Sequence, residues 1–95
     1  MNKAFVEYRI QPEYRNDYFS FIRARLEQHS NMEAYEGADQ PGLFVEVWDG
    51  LTEEQFRELQ TVRRDPYSSW GELDRFMAGG LQKLNIWLFS PIQKE

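Results

Sequence analysis

The chain has 95 residues and no cysteine, enough for one domain spanning 1–95 but too short for a generous core, since a fold of this size buries only about two-thirds of its unfolded surface. A formal net charge of -5, with Arg63-Arg64 as its only paired cations, excludes a phosphate-backbone partner, and the missing cysteines exclude disulfides, thiolate metal sites and a cysteine nucleophile. Aromatic residues make up 16% of the chain, more than a small core needs, which points to a partner subunit or a ligand. Neither a leader-like opening nor a run of roughly 18 apolar residues is present, so a cytoplasmic protein without a membrane span is expected.

In chain order, residues 3–10 alternate strictly and predict a strand with Ala4, Val6, Tyr8 and Ile10 on one face and Phe5, Glu7 and Arg9 on the other. Pro12 suits the first turn of a helix. Helical spacing continues over 13–28, with Tyr18, Ile22 and Leu26 as the core stripe and Arg15, Arg23 and Arg25 on the solvated side. Residues 32–36 read as a short strand, 37–42 as a turn and 43–48 as a second strand, which together form a hairpin.

Asp49-Gly50 breaks that strand, and Thr52 with Gln55 three residues later makes a capping box, flanked by the Leu51/Phe56 pair of a hydrophobic staple. The helix this opens runs over 53–63, with Phe56, Leu59 and Val62 inward, and Asp65-Pro66 stops it. Ser69-Trp70-Gly71-Glu72 has the form of a second capping box. It opens a short helix with Leu73, Phe76 and Met77 inward, ended by Gly79-Gly80. Residues 84–89 form the last strand.

The order strand, helix, strand, strand, interrupted helix, strand predicts an α+β, ferredoxin-like βαββαβ domain with an antiparallel sheet and both helices on one face. Alternation assigns Leu43/Val45/Val47 and Leu84/Ile86/Leu88 to the helix side, with Ala4/Val6/Ile10. The bare side then carries Phe5, Phe44, Glu46, Trp48, Asn85, Trp87 and Phe89, an aromatic patch that a second sheet should cover. A carboxylate in the middle of that patch, Glu46, either pairs with Arg9 or with an arginine of another subunit, or shifts its pKa and serves as a general acid or base. His29, at a helix end, reads as solvated, and no carboxylate spacing suggests a metal site.

The strand GLFVEVWDG, the capped helix carrying Phe56, the interrupted second helix and the aromatic last strand resemble the dimeric α/β-barrel superfamily, close to its antibiotic-biosynthesis-monooxygenase-like group. The resemblance implies a homodimeric α/β barrel joined through the sheet face, with no cofactor and no nucleic acid. It also implies a cavity for a small hydrophobic ligand, with Tyr35, Phe44, Trp48, Trp70, Asn85 and Trp87 as candidate lining residues and Glu46 as the candidate catalytic group. Haem-degrading members have a Trp near the helix break, where Trp70 stands, but also a nearby His that residues 59–80 lack. Mutarotase-like members use a His one turn after Tyr18, where this chain has Ile22. Two functions stay open: cofactor-independent oxygenation of a small aromatic or polyketide-like molecule, or non-catalytic small-molecule binding by a dimeric accessory protein.

Overall fold

The computed structural model describes residues 1–94. Strand β1 (Lys3–Arg9) leads through a 3-10 turn at Pro12–Tyr14 into helix α1 (Arg15–Gln28). The hairpin of β2 (Met32–Gly37) and β3 (Gln40–Asp49) follows, then α2 (Glu53–Arg63), the single-turn α3 (Leu73–Phe76), a 3-10 turn at Gly80–Lys83 and β4 (Asn85–Phe89). All strand pairs are antiparallel in the order β2-β3-β1-β4, which is the expected ferredoxin-like sheet.

The β1 alternation is realised as predicted. Ala4, Val6 and Tyr8 are buried and pack with Tyr18, Phe21 and Ile22 of α1, and with Leu73, Phe76 and Leu81 beyond the break. Ile10 leaves the strand and bridges to Met77 instead.

The face of β3 is the reverse of the expectation. Its register with β1 pairs Trp48 with Ala4, Glu46 with Val6 and Phe44 with Tyr8. Directly opposed residues share a face, so Phe44, Glu46 and Trp48 lie under the helices, while Leu43, Val45 and Val47 lie on the uncovered face with Phe5, Asn85, Trp87 and Phe89. Both sides of β3 are apolar enough to be buried, and the choice is made by what Glu46 finds on the helix side.

The capping box of α2 forms: Gln55 N–H donates to Thr52 Oγ1 (3.1 Å), and the Gln55 side chain accepts from the Thr52 amide (2.9 Å). The inward stripe departs from expectation at its end, where Val62 is 40% exposed and Arg63 is fully buried. The second predicted box does not form: α3 begins only at Leu73, so Glu72 rather than Ser69 stands at its N-cap, and no side-chain cap is made. Ser68 organises the turn instead: its hydroxyl lies 2.8 Å from the carbonyls of both Val62 and Asp65, which share its single proton, and accepts from the Trp70 amide (3.2 Å). A Cβ on Gly71 would lie 1.9 Å from the Pro66 carbonyl oxygen, so only glycine permits a turn tight enough to bring Trp70 back over the end of α2.

Candidate functional site

Beneath the helices, the Glu46 carboxylate meets the Arg63 guanidinium in a two-pronged ion pair, Nη1 to Oε1 at 2.5 Å and Nη2 to Oε2 at 2.8 Å, with both side chains inaccessible to solvent. Trp48 Nε1 donates to Oε1 (2.9 Å) and Tyr8 OH to Oε2 (2.5 Å), so each oxygen accepts two bonds. The Tyr8 hydroxyl is in turn 2.8 Å from that of Tyr18 on α1. A buried charge persists only when paired and hydrogen-bonded in this way. Burial, followed by the neighbouring Glu46 charge, raises the Tyr8 phenol well above its ordinary range, and burial raises Tyr18 as well. For Arg63, burial alone favours loss of the proton, and the Glu46 charge, its hydrogen bonds and the neighbouring Tyr8 and Tyr18 together more than reverse it.

Trp70 closes the cluster from above. Its ring lies 3.9 Å from the guanidinium carbon of Arg63 and packs against Phe21 and Trp48. His29 stacks on Trp70 (6.1 Å) and contacts Trp48 (5.0 Å), so it joins this aromatic cluster and is only half-exposed. With its lone pairs filled by protein donors, the Glu46 carboxylate has none directed at a cavity.

The uncovered face is different in kind. Phe5, Val45, Trp87 and Phe89 line a shallow apolar hollow of about 420 Å³, with Phe5 and Phe89 edge to face at 5.1 Å. Trp87 is 45% and Phe89 53% exposed. Glu7 forms one wall of this hollow and also lines an adjoining cleft of about 450 Å³ with Arg9, Gln40, Leu43, Lys83 and Asn85. Asn85 Nδ2 donates to Glu7 (3.1 Å), and Arg9 donates to the Gln40 side chain (3.0 Å). A third, smaller groove of about 180 Å³ lies between α1 and β2, where Tyr18, Ile22, Ala34, Tyr35 and Phe44 meet.

The candidate residues therefore separate into three places. Glu46, Trp48 and Trp70 come together in the buried network. Phe44 lines the α1/β2 groove, while Asn85 and Trp87 belong to the uncovered face, as does Tyr35, which touches the groove only at its rim and pairs with Val45. The partner expected for Glu46, Arg9, stands on the opposite side of the sheet, and Arg63 takes that role. Arg63 lies seven residues after Phe56 on the same helical stripe, a position that could have marked it as the counter-ion. Arg9 and Lys83 join the cleft without a comparable signal, because β1 and the Gly80–Lys83 turn meet only in three dimensions. Among the described residues, no group of three or more His, Asp or Glu side chains clusters as a metal site requires, and no helix is long and apolar enough to cross a membrane.

No protein-family model matches the chain, and neither does any curated protein. Among solved structures, it is similar to an antibiotic biosynthesis monooxygenase, with a TM-score of 0.70 and 14% sequence identity over 98% of this chain and 100% of the other. The likeness is one of fold: the chain shares the ferredoxin-like architecture of that structure over nearly all its length.

Proposed function

We propose that the protein is a homodimer, joined sheet face to sheet face, that holds a small aromatic molecule between the two sheets. The observation that carries this reading is the hollow of Phe5, Val45, Trp87 and Phe89 on the one sheet face that no helix covers. Soluble monomers seldom leave so continuous an apolar patch in water. A second copy is the occupant that fits, because packed sheets bury faces of this kind. The charges at the margin, Lys3 and Asp49 at one end of the face and Glu33 on its outer strand, are of both signs and suit a two-fold, self-complementary contact.

Oxygenation of the bound aromatic without a cofactor is the second reading. It is favoured by the full-length likeness to a structure described as an antibiotic biosynthesis monooxygenase. In this reading, Trp87 and Asn85 face the substrate, and the Glu46 network acts from behind the sheet by fixing β3.

Native mass spectrometry of the purified chain tests the first reading. A dimer is expected, with added mass where a ligand survives purification, and a monomer at micromolar concentration overturns it. Oxygen uptake with an electron-rich polycyclic phenol tests the second. No uptake above the protein-free rate by a dimer that binds the phenol leaves a binding protein.

A further inference from the structure

The hollow and the cleft of the uncovered face share Glu7 as a wall, so together they form one site with an apolar half and a charged half. In the charged half, Arg9 and Lys83 outnumber Glu7, although the chain as a whole has a net charge of -5. Glu7 is already engaged by the Asn85 amide. Among the described residues, neither Arg9 nor Lys83 has a carboxylate within ion-pair distance. Arg9 donates one of its N–H groups to Gln40, which steadies the guanidinium and leaves its other donors free.

Lys83 is positioned by Gly79. A Cβ at Gly79 would fall 2.8 Å from Lys83 Cγ and 3.0 Å from its Cε, so the lysine stem lies flat across a residue that has no side chain. Gly79 also sits at φ 84°, where glycine is favoured on backbone grounds alone.

We infer that the ligand of this face is a small aromatic acid, with its ring on the Phe5, Val45, Trp87 and Phe89 floor and its carboxylate between Arg9 and Lys83. This rests on the reading of the face as an aromatic-binding site and adds the anionic end. A planar carboxylate matches the fork of a guanidinium, and a lysine adds a second, mobile charge. A cationic or neutral aromatic would leave two unpaired cations against its polar end.

Calorimetry with the full chain, using 2-naphthoate and its neutral amide 2-naphthamide, separates the two claims. The acid is expected to bind at least about tenfold tighter than the amide, as charge-assisted bonds require. Arg9→Gln and Lys83→Gln, both at exposed positions, should each bring the acid down toward the amide, with thermal melts confirming that the fold is unchanged. Equal affinity for acid and amide overturns the inference and leaves the aromatic-binding reading standing. Binding of neither overturns both. If Arg9→Gln splits a dimer while the acid-to-amide ratio is unchanged, Arg9 belongs to the partner contact and the inference fails.

Discussion

Glu46 and Arg63 hold each other in a place where neither could remain alone. Removing one partner strands the other charge away from water, so Arg63→Met is expected to cost about 3–5 kcal/mol in urea denaturation. Replacing both, Glu46→Met with Arg63→Met, should cost clearly less than the sum of the single changes, because no orphaned charge is left. Glu36 shows a different kind of coupling at the surface. Its bidentate bond from Arg15, helped by the Gly42 amide, lowers its carboxyl from 4.5 to about 2. A carboxyl that is more acidic in the folded state adds stability above its unfolded value and loses it as pH falls through the folded one. Wild type should therefore melt higher than Glu36→Gln at pH 6, and the gap should close between about pH 4.5 and 2. At the alkaline end the sign reverses: the raised Tyr8 and Tyr18 phenols stabilise the fold below pH 10.0, and that contribution is lost as pH climbs toward their folded values. In an absorbance titration, these two of the 5 tyrosines should stay un-ionised until the protein unfolds.

Among the elements, those specified by local chemistry are the ones legible in the sequence. The Thr52/Gln55 cap places the start of α2 correctly, and Thr52→Ala should cost about 1 kcal/mol. The turn after α2 is set by close backbone approach and by Ser68, which no capping pattern announces. Gly71→Ala should cost more than Thr52→Ala, and should raise the exposure of Trp70 in fluorescence quenching, because the new methyl collides with the Pro66 carbonyl. Strand β3 shows where local reading ends. Leu43, Val45 and Val47 look more like core residues than Phe44, Glu46 and Trp48, and strand alternation alone cannot choose between two apolar faces. The decision belongs to Arg63 on another element, which gives the buried carboxylate a counter-ion on one side of the sheet only. The same reversal divides the candidate site: Asn85 and Trp87 are assigned to the uncovered face correctly, while Phe44, Glu46 and Trp48 follow β3 to the other side.

At the scale of the whole molecule, one sheet face is closed by helices and the other is left uncovered. In the proposed homodimer, Trp87→Asp puts a charge in the centre of the uncovered face and should convert the dimer to a monomer in sedimentation without unfolding it, since Trp87 is 45% exposed within the single chain. The sheet order has a further consequence, for the way the chain assembles. Strand β1 lies between β3 and β4, and the β1/β4 register pairs Lys3 with Phe89 and Phe5 with Trp87, joining strands far apart in the sequence. Strand β1 cannot complete its hydrogen-bonded neighbours until β4 has been made, and a sheet closed by contacts so remote in sequence is slow to nucleate. The strand that closes the sheet also carries Trp87 and Phe89. A nascent chain therefore lacks the Trp87 and Phe89 part of the uncovered face until β4 pairs with β1, and the aromatic surface of that face is assembled only as the sheet closes.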